Sequence, residues 1–95
     1  MLFRSNAYNN LGMVLRNQKK LTEAEEMYRR ALALDDKYVN AYNNLGNVLY
    51  DQKKLTEAEE MYRRALALDD KYVYAYYNLG IVLYDQKKLT EEEEM

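Results

Sequence analysis

Apolar positions along the chain fall into two alternating helical stripes. Between residues 39 and 52, Tyr42, Leu45, Val48 and Leu49 recur at three- and four-residue spacing, the signature of an amphipathic helix. A short turn carrying Lys53, Lys54 and Leu55 follows. A second stripe then runs through Ala58, Met61, Tyr62, Ala65, Leu66 and Leu68. Nearly the same text fills residues 7–39 and begins again at Ala75. Tyr8, Tyr42 and Tyr76 stand 34 residues apart, as do Gly12, Gly46 and Gly80. A fixed period of this length predicts stacked helical hairpins whose core is spread along the stack. No alternating strand pattern competes. The fold class is therefore all-α, an α-solenoid of antiparallel helix hairpins about two and a half repeats long.

The repeats divide as residues 6–38, 39–72 and a shortened 73–95, with first helices expected at about 6–18, 39–52 and 73–86. Residues 1–5 lie outside the pattern. Leu2-Phe3-Arg4-Ser5 is what the end of a common sequencing adapter reads as when translated, so a cloning or sequencing scar is one expectation and an ordinary terminus the other. The last repeat stops partway, and both ends read as cut. Each second helix is expected to open on a T-x-x-E capping box, at Thr22/Glu25, Thr56/Glu59 and Thr90/Glu93. The chain has no proline, so Asp35-Asp36 and Asp69-Asp70 mark the inter-repeat turns, with Asp36 and Asp70 as expected N-caps. A glycine inside a helix costs about 1 kcal/mol against alanine. Its return at residues 12, 46 and 80 on the apolar side predicts a neighbouring helix lying close there.

Tyr42, Leu45, Gly46, Ala58, Tyr62 and Ala65, with counterparts Tyr8, Leu11, Gly12, Ala24, Tyr28 and Ala31, resemble the tetratricopeptide repeat. The resemblance covers the chain beyond residue 5. It departs from the family in three ways: Lys19, Lys53 and Lys87 stand where a turn glycine is common, Asp36 and Asp70 replace a proline, and Glu92 replaces the alanine between the two helices. The last of these puts the third hairpin in doubt.

The copies also differ from one another. Residues 7–39 and 41–73 differ only at Met13/Asn47, Arg16/Tyr50 and Asn17/Asp51, and the third copy differs from the second at Asn43/Tyr77, Asn47/Ile81 and Ala58/Glu92, with Asn40/Tyr74 just before. All but the 58/92 change fall within an arc of about 100° on the first helix, opposite its apolar stripe. In a solenoid such faces align into one surface, and the resemblance implies a concave groove lined by first helices. The alternative is drift at unrestrained exposed positions, although Lys53, Glu57, Arg63 and Arg64 have not drifted.

The expected peptide-binding positions are therefore Asn6, Asn9, Asn10, Met13 and Arg16 in the first repeat. Asn40, Asn43, Asn44, Asn47, Tyr50 and Asp51 follow in the second, and Tyr74, Tyr77, Asn78, Ile81 and Tyr84 in the third. Asn10, Asn44 and Asn78 never change. Carboxamides both donate and accept, so a row of them can pair with a peptide backbone. The row resembles the asparagine ladder of O-GlcNAc transferase and the N-N-L segments of kinesin light chains; local contacts to the next repeat are the alternative. The tyrosines near residue 77 offer large contact area with a polar tip, or else they touch a further repeat.

Composition narrows the function. A formal charge of −2 over 95 residues lacks the basic stripe of a nucleic-acid binder. The chain has no histidine or cysteine, so no thiolate metal site or disulfide framework exists. No cofactor is expected. No apolar run reaches the roughly 20 residues that span a bilayer, and no membrane partner is expected; the location expected is cytoplasmic, although the absence of cysteine leaves the redox compartment open. Lysines and carboxylates recur once per repeat, whereas catalytic groups form unique, asymmetric sets; the chain is not expected to be an enzyme. The carboxylate clamp that tetratricopeptide domains use on chaperone C-termini needs groove cations, but the corresponding places hold Asn9, Met13, Asn44, Tyr74 and Asn78. Only Asn44 fits. The expectation is a scaffold that binds an extended peptide. Alternatives are the substrate-reading arm of a larger enzyme, such as a glycosyltransferase, and a structural array that self-associates end to end through its last repeat.

Overall fold

Five helices follow one another in a computed structural model, which describes residues 2–94 and the side chains of residues 3–90. They are α1 (Leu2–Asn17), α2 (Leu21–Leu34), α3 (Val39–Asp51), α4 (Leu55–Leu68) and α5 (Val73–Glu94). Each packs against the next, and α1 and α3, and likewise α3 and α5, meet side by side. The result is a slab of 50 × 30 × 17 Å. None of the helices is long and apolar enough to cross a membrane.

Amphipathic stripes decide which faces are covered. The core runs through Ala24, Tyr28, Tyr42, Leu45, Val48, Leu49, Ala58, Met61, Tyr62 and Ala65 to Ala75, Leu79 and Val82. The repeating glycines act as expected at two of three places. A Cβ on Gly12 would lie 2.6 Å from the Tyr28 ring, and one on Gly46 would lie 2.5 Å from the Tyr62 ring. The helices approach so closely that only glycine fits.

The turns depart from expectation. Lys19 and Lys53 adopt left-handed backbone, with φ of 64° and 65°. The amides of Lys20 and Lys54 bond back to the carbonyls of Leu15 and Leu49, and those of Lys19 and Lys53 to Arg16 and Tyr50. This pair of bonds is a Schellman motif, with lysine at the position that prefers glycine. It is so tight that α2 and α4 begin at Leu21 and Leu55, with Lys20 and Lys54 as N-caps that make no side-chain cap bond. Thr22 and Thr56 thus lie inside the first turn, and their two capping boxes do not form; the Glu93 side chain of the third expected box lies outside the described ones. Nor do Asp36 and Asp70 cap the helices that follow; the N-cap of α3 is Tyr38. Instead Asp35 and Asp69 accept the amides of Lys37 and Lys71 two residues on, the Asx-turn geometry. The carbonyls of Asp36 and Asp70 accept the hydroxyls of Tyr42 and Tyr76.

Two further differences concern the ends. Helix α1 starts within the five residues read as a leader, and Ser5, in register with Val39 and Val73, is buried. At the other end no turn forms at Lys87: α5 continues unbroken to Glu94, and Thr90 donates back to the Gln86 carbonyl. A turn there would place Lys87 in the left-handed region, at a cost of about 1–2 kcal/mol. It would also carry Glu92 to the position where Ala24 and Ala58 are fully buried, and an unpaired carboxylate is costly in such a place. Continuing the helix avoids both.

Candidate functional site

The first helices α1, α3 and α5 lie beside one another because each second helix turns the chain back by one hairpin. That arrangement brings the expected positions onto a shared face, and side chains bridge it in two rows. In one row Asn44 Nδ2 donates to Asn9 Oδ1 at 3.1 Å, and Asn78 Nδ2 donates to Asn43 Oδ1 at 3.1 Å. In the other row Arg16 Nε and Nη2 donate to the two Asp51 oxygens at 2.6 and 3.2 Å, and the Tyr50 hydroxyl donates to Asp85 at 2.5 Å. Both rows join a residue of one repeat to a residue 35 positions later.

The sixteen expected residues therefore have different exposures. Asn6, Asn10, Met13, Asn40, Asp51, Tyr74, Tyr77 and Tyr84 are exposed, while Arg16, Asn44, Asn47, Tyr50, Asn78 and Ile81 are half-buried. Asn9 and Asn43 are buried, at 2% and 6% exposure. The rung each makes satisfies a carboxamide that would otherwise be costly to bury. In the third repeat Tyr77 takes this place and stands 72% exposed.

Between the two rows lies a hollow of about 170 Å³ lined by Arg16, Asn47, Tyr50, Asp51, Tyr62, Asn78 and Ile81. Six of these seven are expected positions. The seventh, Tyr62, donates its hydroxyl to Asn47 Oδ1 at 2.6 Å. It escaped the sequence reading because its identical counterpart Tyr28 marks it as scaffold, although its tip reaches the groove from the second helix. Asp85 was likewise not singled out as a site residue, since it matches Asp51; its bond from Tyr50 becomes apparent only when repeats are stacked.

Electrostatically the face is settled from within. Asp51 raises the Arg16 pKa through their hydrogen bond, against the opposing effect of burial. Tyr50 is raised chiefly by its bond to Asp85. Burial pushes Tyr28 up to about 12 and raises Tyr62 further, so both hydroxyls remain protonated, and that of Tyr62 donates to Asn47. Among the described residues no cluster of carboxylates could hold a metal ion. The face offers carboxamides, phenols and a neutralised ion pair.

A family model for the tetratricopeptide repeat matches residues 3–71 and 37–95. The fold is similar to the first tetratricopeptide domain of Spaghetti (RPAP3), solved bound to the HSP90 peptide SRMEEVD. That likeness has a TM-score of 0.90 and 23% identity, covering 99% of this chain and 75% of the other. The second such domain of Spaghetti, bound to the same peptide, gives a TM-score of 0.86 and 24% identity, with 96% and 84% covered. No curated protein matches.

Proposed function

This chain belongs to the tetratricopeptide repeat family, and we propose that it is a protein-interaction scaffold that binds an extended peptide across α1, α3 and α5. The observation that carries the reading is the hollow between the two rows of rungs. At about 170 Å³ it is smaller than a typical small-molecule pocket of roughly 300–1,000 Å³, and it suits one side chain of a peptide lying over it. After donating to the neighbouring repeat, Asn44 and Asn78 each keep a second N–H and a carbonyl oxygen that can meet a peptide backbone. In this reading the asparagine row serves both the stack, through its rungs, and the ligand. Tyr74, Tyr77 and Tyr84 give the far end an apolar, aromatic character.

The ligand we propose is not an acidic C-terminus like the one in the Spaghetti complexes. Arg16 is the cation of this face, and Asp51 already neutralises it. We assign the chain no catalytic step, no cofactor, no nucleic-acid or membrane partner, and a cytoplasmic location. As the substrate-reading arm of a larger enzyme it would use the same face. Association of copies end to end is a second reading, favoured by the exposure of Tyr76 and Leu83 on α5; sedimentation against concentration tests it.

Peptides selected from a random library test the main reading. Alanine at Asn10, Asn44 and Asn78 together should weaken binding at least tenfold, or about 1.4 kcal/mol, with unfolding curves run beside it because two rungs are lost. Unchanged affinity in a folded variant refutes the asparagine row as the backbone-binding element.

A further inference from the structure

The hollow between the two rows of rungs is walled by α1, α3, α4 and α5 together, so its shape does not depend on what precedes or follows them. Its polar wall is not repeated along the stack. The series Met13/Asn47/Ile81 holds a single carboxamide. Tyr62 donates to Asn47 Oδ1 at 2.6 Å, whereas Met13 is the residue in register with Asn47 in the hairpin of the otherwise identical Tyr28. That bond fixes which way the Asn47 carboxamide faces. Its oxygen is engaged, and its Nδ2 hydrogens have no acceptor among the described residues.

One helical turn further along α3, on the same face, are acceptors. The Tyr50 oxygen donates its proton to Asp85 and keeps a lone pair, and each Asp51 oxygen takes one bond from Arg16 and keeps another acceptor site. Ile81, half-buried, adds an apolar wall. We infer that this hollow selects a glutamine side chain at one position of the bound peptide. The inference rests on the reading of the groove as a peptide site and names what one of its subsites takes. The glutamine oxygen accepts from Asn47 Nδ2, its amide nitrogen donates to Tyr50 Oη or the Asp51 carboxylate, and its methylenes lie along Ile81. Asn44 and Asn78 keep their spare groups for the peptide backbone, so the two roles do not compete. Glutamate has the same shape but sets a second carboxylate beside Asp51, with Arg16 already committed to that residue. Lysine cannot accept from Asn47 and meets the Arg16 guanidinium. Methionine fills the space but leaves the Asn47 donors covered and unpaired, which is costly.

Peptides selected against the chain from a random library should share a glutamine at one register position. One of them, carrying a fluorophore, and its versions with glutamate, lysine or methionine for that glutamine are titrated by anisotropy against the parent chain. Each replacement should weaken binding about tenfold or more, because a site built on hydrogen bonds rejects analogues that cannot return them. These arms use the parent alone and do not depend on a variant folding. Asn47→Met then copies the residue that the first repeat already carries in this register, and it should bind the glutamine and methionine peptides equally. Binding peptides that share no glutamine, or a glutamine preference that survives Asn47→Met, overturn the inference; the groove reading still stands if alanine at Asn10, Asn44 and Asn78 abolishes that binding. Absence of any binding peptide overturns both.

Discussion

Gly46 and Gly80 occupy the same place in successive repeats, yet the same substitution should have opposite effects at the two. Alanine favours a helix interior over glycine by about 1 kcal/mol, and this gain applies at both sites. At Gly46 the new Cβ would fall 2.5 Å from Tyr62 Cε1 and 2.8 Å from two further ring atoms. Tyr62 cannot easily yield, since it is 2% exposed and its hydroxyl is held by Asn47. Overpacking of this kind costs about 1–3 kcal/mol, so the net effect is a loss of up to about 2 kcal/mol. At Gly80 the Cβ meets nothing within 4 Å among the described residues, and the propensity gain stands alone. For a chain of this size 1 kcal/mol corresponds to about 4–8 °C in Tm. Gly46→Ala should therefore melt several degrees lower than the parent, and Gly80→Ala at the parent temperature or above it.

Thermal and urea unfolding followed by circular dichroism provide the assay. Hydrogen exchange of α5 amides is a second readout, because an end repeat can open independently of its neighbours. A Gly46→Ala chain as stable as Gly80→Ala would refute the claim that close helix approach selects glycine at residue 46.

Three other perturbations follow from the turns and the ion pairs. Lys53→Gly should stabilise by a few tenths to about 1 kcal/mol, as relief of left-handed strain exceeds the extra entropy glycine loses; Lys87→Gly, inside α5, should destabilise that helix, and urea midpoints check both. Glu25 is pushed up by partial burial, but hydrogen bonds from Gln52 and Arg29 and the charges of Arg29 and Lys54 outweigh this and lower its pKa. A lowered folded pKa contributes stability above the ordinary value of 4.5 that is lost as pH falls through the folded one, so Glu25→Gln should flatten the acid limb of the stability profile relative to the parent, read from urea midpoints against pH. Arg16 and Asp51 form a partly exposed, two-pronged pair, and a double-mutant cycle should give a coupling of about 0.5–1 kcal/mol that shrinks with added salt.

Much of the fold is legible in the sequence because the repeat is written out more than twice. The apolar stripes place α3 and α4 to within a residue or two, and the recurring glycine announces the helix contact at Gly12 and Gly46. The turns are not legible from local text. Residues 18–23, 52–57 and 86–91 are all QKKLTE, yet the first two contain a left-handed lysine and a helix start, and the third is continuous helix. Local propensity is the same in all three. What differs in the text that follows is Glu92, which stands where Ala24 and Ala58 are fully buried, and a carboxylate there would forfeit the tertiary gain that offsets the strained lysine. The capping boxes fail for a related reason: the Schellman turn moves the helix start ahead of the threonine.

On the groove, the stacked repeats give the variable positions a physical context that a single repeat hides. Arg16 and Tyr50 differ chemically, but both donate to an aspartate one repeat later, Asp51 and Asp85. Divergence at these places is thus tied to stacking, whatever ligand lies over them. Asn9 and Asn43 are similarly engaged as buried acceptors. The positions whose side chains remain outward are Asn6, Asn10, Met13, Asn40, Tyr74, Tyr77 and Tyr84, and of these the pairs Asn6/Asn40 and Asn40/Tyr74 show how the rim changes from carboxamide to phenol along the stack. A carboxamide or phenol exposed on the rim can be exchanged without disturbing a rung. Specificity for a peptide is therefore most freely set at the rim, while the rungs beneath hold the spacing of the three helices.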